Sequence, residues 1–346
     1  MDNLNYTPPQ TLQEGNEREH IIDIAKGIGI LLVVLGHLPS LFSSPIYLFH
    51  MPFFFIISGY CLSPRHYYSL GSVMKFAYNR FVALILPIII AYAMIYVLKR
   101  FIPYGVDEFI EKYHLMGTFW FLKDLFKAGF ITVSLMFFFS LVYRYKRLRL
   151  YTALLFLIVS IFIGNITYRG IGIAMYISVF YVIGHILREE RVFLHLSSDI
   201  LNRIIAVGVC MLIVLSFSSL CSHNHITKCD YEDYIPYTIA AFAGSYLCWQ
   251  LSHVINKYSV CVKSILCMLG KNTMPIVLFQ WLSFCFIDLL SENVIHIKSP
   301  EIVWISKFVA GITIPLLFYK IYRLSKVYVI YKKLYIKSVQ NGQTKN

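Results

Sequence analysis

The chain has 346 residues, of which 58% are hydrophobic and only 14% charged, with a formal net charge of +13; an ordinary soluble domain is roughly 25% charged. Together with a mean hydropathy of +0.64, this composition excludes a soluble globule, a disordered chain, a coiled coil and a secreted disulfide scaffold. Such a surface suits the lipid bilayer, and at about 20 apolar residues per span the chain has room for about ten.

The first 20 residues are polar, hold Pro8 and Pro9 and lack a basic stretch, so they read as a cytoplasmic segment and not as a cleaved signal. Apolar runs then predict helices near 21–38, 45–63, 80–98, 119–142, 150–166, 170–187, 204–221, 235–255, 265–290 and 301–319. Runs such as Phe81 to Leu98 are apolar on every side, which argues for helices over the alternating strands of a membrane barrel. The expectation is an all-α membrane protein, a bundle of about ten transmembrane helices over 21–319 with a basic tail over 320–346. With the N-terminus inside, 20 Lys and Arg fall in cytoplasmic segments and 6 in outer ones. That bias predicts both termini in the cytoplasm. The basicity is thus topogenic. No basic run is interleaved with aromatics in a soluble segment, so nucleic acid is excluded as a partner and membrane lipid is expected.

Six cysteines, Cys61, Cys210, Cys248, Cys261, Cys267 and Cys285, fall in or beside the spans and read as small apolar packing residues. Cys221 and Cys229 border the outer loop 222–234, where a disulfide and two free thiols both remain open. Together with His223 and His225 they lack a zinc-type spacing, so no metal is expected.

Ionisable groups inside apolar helices cost several kcal/mol unless they face a cavity or a partner, and the first helix holds the densest set. Eleven residues separate Lys26 from His37. At about 100° per residue that is three turns plus roughly 20°, so both project from one face, about 16.5 Å apart along the axis. Asp23, three residues before Lys26, is placed to pair with it. The connection to the second helix is short and contains Pro39 and Pro45, so a tight hairpin brings His50, in Phe-His-Met-Pro-Phe-Phe-Phe, beside His37. At the other end the second helix closes on Ser58-Gly59-Tyr60, and a basic loop leads to Asn79-Arg80, with Arg80 on the same side as Lys26. Two cations at one mouth and two imidazoles deeper in suit an elongated anionic donor whose reactive end reaches the histidines. His185, His253 and His296 lie near helix ends and read as interfacial.

These residues match a known pattern. Asp-x-x-Lys followed after ten residues by His, then Phe-His-Met-Pro-Phe-Phe-Phe-Ile-Ile-Ser-Gly-Tyr, resembles the start of the membrane acyltransferase-3 family, in particular its fucose 4-O-acetylase-like branch. Asn79-Arg80-Phe81 with Leu86-Pro87, Phe119-Trp120-Phe121-Leu122 and Leu269-Gly270-Lys271-Asn272-Thr273 look like later motifs of the same family. The resemblance implies a multi-pass enzyme of the bacterial inner membrane that moves an acyl group, usually acetyl, from cytoplasmic acyl-CoA to a hydroxyl of a cell-envelope glycan or lipid-linked sugar. It assigns His37 as the catalytic histidine and Lys26 as the basic donor residue. Acetyl-CoA is then a substrate, with Lys26 and Arg80 holding its phosphates. His37 acts as general base or as nucleophile, and His50 serves in catalysis, in acceptor binding or in structure. On the acceptor side Trp120 is a candidate for stacking on a sugar and Asp124 for lining the cavity, against interfacial anchoring and a local pair with Lys127. Loops 99–118 and 222–234, with Tyr113 and His114 in the first, complete that side. The chain departs from the family in carrying Lys26 where many members have Arg, Ala83 where a second arginine is common, and Gln280 where the late motif often ends in histidine. The same bundle also suits a transporter or lipid-linked glycan flippase, although the chain has no internal symmetry of the kind transporters show.

Overall fold

The computed structural model describes residues 10–40, 43–101, 119–167, 169–190, 200–220, 234–293 and 299–325, with a few single positions beyond. Among the described residues all regular structure is helical. Two compact units emerge, Met1–Lys271 and Asn272–Asn346. The first holds α1 (Gln10–Gly36), α2 (Ser43–Tyr60), a 3-10 turn (Pro64–His66), α3 (Leu70–Arg80), a π-turn (Phe81–Ile85), α4 (Leu86–Phe101), α5 (Trp120–Val142), α6 (Lys146–Thr167), α7 (Arg169–Glu189), α8 (Ile200–Leu220), α9 (Tyr234–Tyr258) and α10 (Val260–Lys271). The second holds α11 (Thr273–Asn293) and α12 (Pro300–Leu324). Among the described residues five stretches are long and apolar enough to cross a bilayer: Leu70–Met94, Trp120–Val142, Leu201–Ser219, Thr273–Glu292 and Pro300–Leu324.

Two elements differ from the apolar pattern. The run expected as one helix over 265–290 is two, ending at Lys271 and restarting at Thr273. The run expected from residue 80 is part of a longer helix that begins at Leu70, where Ser69 accepts a hydrogen bond from the Ser72 amide and caps it. Within it the π-turn follows Arg80 directly. Pro87 has no N–H for the carbonyl four residues back, at Ala83, which favours a widened turn there.

In the large unit α2 is the hub, buried from Phe49 to Ile57 and packed by α1, α5, α7, α8 and α9. Lipid supplies no hydrophobic drive between helices, so close approach at small residues does the packing. A Cβ on Gly59 would fall 1.8 Å from the Tyr181 carbonyl oxygen, and one on Gly184 2.0 Å from that of Ile56, so α2 and α7 cross glycine to backbone in both directions. The same reciprocity joins α1 and α10: a Cβ on Gly27 would meet Leu266 O at 2.2 Å, and one on Gly270 would meet Asp23 O at 1.9 Å.

Side-chain bonds give the helix directions. Arg188 and His185, late in α7, meet Leu62 and Tyr67 just past α2, while Tyr176, early in α7, meets Tyr234 and Thr238 of α9. Tyr237 of α9 in turn donates to the Tyr47 carbonyl, early in α2, at 3.2 Å. Hence α2, α7 and α9 run in one direction and α1, folded back by the hairpin, in the other. In the small unit α11 packs on α12, with Phe284 against Gly311 and Asp288 2.5 Å from Lys307 Nζ.

Candidate active site

The hairpin between α1 and α2 is tied by its serines. Ser43 donates to the Leu38 carbonyl at 2.8 Å, and the Ser40 amide donates to Ser43 Oγ at 3.1 Å. This puts the end of α1 over the first turn of α2, and His37 and His50 meet there through a third residue that the sequence reading passed over. His37 Nδ1 lies 3.2 Å from Tyr47 Oη, and the His50 ring stands edge-on to the Tyr47 ring at 5.3 Å between centroids. His50 is 1% exposed, and its Nδ1–H donates to the Ile46 carbonyl at 2.7 Å. That bond fixes the neutral tautomer, with the lone pair on Nε2. Around Tyr47 the starts of α7 and α9 add Tyr176, stacked on Tyr234 at 4.5 Å, and the buried Tyr237. Tyrosines spaced along three separate helices leave no contiguous motif, so only the fold gathers them.

At the opposite ends of these helices the groups are cationic. Asp23 faces away from the expected local pair with Lys26: its carboxylate lies 3.7 Å from Lys271 Nζ on α10. The glycine crossing at Gly27 and Gly270 brings that lysine to it. Among the described residues Lys26 makes no ion pair. Its motif and the Gly-Lys-Asn motif, about 240 residues apart in the chain, are thus neighbours through Gly270 and Lys271. Arg80 ends α3 with its guanidinium 5.3 Å from the centre of the Phe76 ring, and the His66 ring lies 5.2 Å from the same phenyl group.

His66 is held below the usual histidine range, first by burial and then by the charges of Arg65, Arg80 and Arg188. Beside it Tyr67 Oη and His185 Nε2 are 3.1 Å apart. Burial, with a further push from Tyr68, lifts the Tyr67 hydroxyl to about 12 against the opposing charges of Arg149 and Arg188. His185 is 0% exposed, which corrects its reading as an interfacial residue. A contact across 118 residues has no signal in one sequence. His253 is partly buried, and its ring lies 5.3 Å from that of Trp249.

The other candidates separate. Phe121 packs on Phe54 and Phe55 of α2 at 5.6 and 5.3 Å, which seats the start of α5, and Trp120 lies edge-on to Phe121 at 6.3 Å. Asp124 is held by Lys127 at 2.8 Å, the local pair its spacing allows. Gln280 is 1% exposed in the small unit. Cys248, Cys267 and Cys285 are buried as packing residues, whereas Cys61 and Cys261 are exposed, contrary to that reading. Cys221, Cys229, His223, His225, Tyr113 and His114 lie outside the described residues. No group of metal-ligating side chains occurs among the described residues.

Comparison with known proteins decides what this arrangement serves. The acyltransferase domain of the acyltransferase-3 family matches residues 19–320. The chain belongs to that family. The matched domain is described as an acyltransferase domain, and the composition and apolar helices of the chain suit a membrane. The nodulation protein NolL of Sinorhizobium fredii (strain NBRC 101917 / NGR234) is 31% identical over 142 residues, covering 34% of this chain and 36% of that protein. NolL of Mesorhizobium japonicum (strain LMG 29417 / CECT 9101 / MAFF 303099) is 29% identical over 144 residues, covering 35% and 36%. The matched stretch thus spans about a third of the length of these curated relatives. No solved structure matches the chain.

Proposed function

We propose that the protein transfers an acetyl group from cytoplasmic acetyl-CoA to a hydroxyl of a cell-envelope glycan or lipid-linked sugar. The observation that carries this reading is one helix face with Lys26 at one level and His37 about 16.5 Å further along it, where His37 meets Tyr47 and, through it, His50. The phosphates of coenzyme A cannot enter hydrocarbon, whereas its pantetheine arm is long and thin. A donor held at Lys26 and Arg80 by its phosphates therefore extends its thioester toward the histidines. This assigns the Lys26 end to the cytoplasm, in keeping with the 20 to 6 bias of basic residues, and gives the bundle about ten spans with both termini inside. The location that follows is a bacterial inner membrane.

His37 acts as the general base. With Nδ1–H donating to Tyr47 Oη, its Nε2 lone pair takes the proton of the acceptor hydroxyl as that oxygen attacks the thioester carbonyl. The tetrahedral adduct then collapses, the C–S bond breaks, and the imidazolium returns the proton to the departing thiolate. His50, whose Nδ1–H is committed to Ile46, offers only an acceptor at Nε2. Its part is to accept from a second, non-reacting hydroxyl of the acceptor sugar, since a neutral ring in this tautomer has no proton for an oxyanion and the proton of the reacting hydroxyl goes to His37. On the acceptor side, Trp120 offers a face for a sugar ring, and Asp124, held by Lys127, a carboxylate for its hydroxyls.

The test is thiol release from acetyl-CoA by the purified full-length protein, with cell-envelope glycan as acceptor. Release that the glycan stimulates and that His37→Ala abolishes is the expected result. No glycan-dependent release by the wild type, or unchanged release in His37→Ala, would overturn the proposal.

A further inference from the structure

We infer that Tyr47 and Tyr237 are positioning residues of the transfer: the Tyr47 hydroxyl oxygen accepts the Nδ1–H of His37 and so keeps the lone pair of that ring on Nε2, while Tyr237 of α9 holds Tyr47 in place. The inference rests on the acetyl-CoA reading above, in which His37 is the base, and adds what makes that histidine a base.

The backbone gives His37 little hold. The residue follows the end of α1 directly, its amide reaches the Val33 carbonyl at 3.3 Å, and its side chain is partly exposed. At such a helix end the ring takes its orientation and its tautomer from what its nitrogens meet. A neutral ring carries one proton, on Nδ1 or on Nε2, and in water it favours Nε2. That is the wrong nitrogen for a base that works through Nε2. The Tyr47 oxygen, 3.2 Å from Nδ1, reverses the preference by accepting a proton held there.

The bond also changes in strength during the reaction. When Nε2 takes the proton of the acceptor hydroxyl, the Nδ1 proton stays where it is and the ring becomes an imidazolium. A neutral hydrogen bond to Tyr47 then becomes a charge-assisted one, roughly twice as strong. An interaction that strengthens only as the transition state forms lowers the barrier without tightening donor binding, so its loss falls on kcat and not on KM.

Tyr47 is placed from two sides. On the hairpin side, a Cβ on Gly36 would lie 3.3 Å from Ile46 Cγ2, so the last turn of α1 rests on the residue before Tyr47. His50 donates to the carbonyl of that same Ile46 at 2.7 Å and stands edge-on to the phenol ring. On the α9 side, Tyr237 is 0% exposed and donates to the Tyr47 carbonyl at 3.2 Å. About two turns further along α9, a Cβ on Gly244 would fall 2.1 Å from Phe49 Cγ, so α9 lies against the same stretch of α2. Tyr237 thus acts on the backbone of Tyr47, and the Tyr47 hydroxyl acts on His37.

The experiment joins kinetics to a direct reading of the tautomer. Full-length protein in detergent, with 15N in its histidine rings, is observed by NMR at about pH 8.5, where such rings are neutral. The chain has 11 histidines, and the signal absent from His37→Ala is that of His37. In the wild type its proton is expected on Nδ1, and in Tyr47→Phe, which keeps the ring and removes only the oxygen, on Nε2. Thiol release from acetyl-CoA by Tyr47→Phe should fall about 10²-fold in kcat with KM unchanged. Tyr237→Phe should lose about two- to tenfold in kcat, and should add little to Tyr47→Phe in the double variant. A wild-type proton on Nε2, or a loss in Tyr47→Phe that falls on KM alone, overturns the role of Tyr47. Full kcat in Tyr237→Phe, or a loss that adds in full to that of Tyr47→Phe, overturns the role of Tyr237. Should Tyr47→Phe fail to fold, the wild-type tautomer and Tyr237→Phe still decide. The two proposals fail separately: a proton on Nδ1 without glycan-dependent thiol release sinks the acetyl-CoA reading, whereas glycan-dependent release with the proton on Nε2 keeps that reading and sinks the role of Tyr47.

Discussion

In the α11–α12 hairpin the buried carboxylate of Asp288 is met by Lys307 at 2.5 Å, whereas Arg65 and Arg80 of the large unit have no carboxylate among the described residues. Both regions place charge at apolar helices, where an uncompensated ion costs several kcal/mol. In the hairpin the opposite charge comes from the neighbouring helix, so the cost is met within the fold. Around Arg65 and Arg80 no carboxylate does so among the described residues, and the Phe76 ring under the Arg80 guanidinium does not neutralise its charge. A buried pair is costly to break; cations left without a carboxylate, as Arg65 and Arg80 are among the described residues, suit an anion that comes and goes.

The sharpest contrast lies at the histidine end, where no net charge is involved. His37→Ala is expected to lower thiol release by about 10² to 10⁴-fold while leaving coenzyme A binding and the melting temperature unchanged; a matching loss of binding would move His37 from chemistry to donor recognition. The hairpin pair should show the reverse. Lys307→Met removes the cation that faces the buried Asp288 carboxylate and should cost roughly 3 to 5 kcal/mol, read as a lower melting temperature in detergent. The double variant Asp288→Leu with Lys307→Met should recover most of it, and a double variant no better than the single one would make the pair's role something other than mutual neutralisation. Arg80→Gln should raise the KM for acetyl-CoA about tenfold with little change in melting temperature. A large thermal loss there would erase the contrast between the two regions.

The smallest effect concerns pH. Because the His66 imidazole is held below its usual range in the folded protein, the unfolded chain binds a proton that the folded one refuses. This contributes nothing above about pH 6.5 and destabilises the fold as pH falls below it. Melting temperatures measured from pH 7.5 to pH 5.5 should therefore fall less steeply in His66→Gln than in wild type. Identical slopes would mean that neither burial nor the arginines hold that ring below its usual range.

Much of the architecture was legible because helices are local objects. The spacing of Lys26 and His37 holds because a helical face repeats without regard to neighbours. His37 and His50 come together because the hairpin between α1 and α2 is short. The expected helix over 265–290 failed at residue 272 because an apolar run reads the same whether or not its hydrogen-bond ladder continues. Asp23 was expected beside Lys26, yet it answers to Lys271, since a glycine crossing brings another helix closer than the next turn of its own.

What the sequence determined by itself was the solvent, the helical class, the basic bias and the resemblance carried by Lys26, His37, His50 and Arg80. These depend on composition, on helical periodicity and on residues close in the chain. Only the tertiary structure decided that Tyr47 joins the two histidines, that Gly270 and Lys271 lie beside the first motif, and that Tyr67 meets His185. Such contacts are set by which helices pack side by side and in which direction. In a bilayer that choice is made by small residues and backbone approach, and hydropathy does not register it.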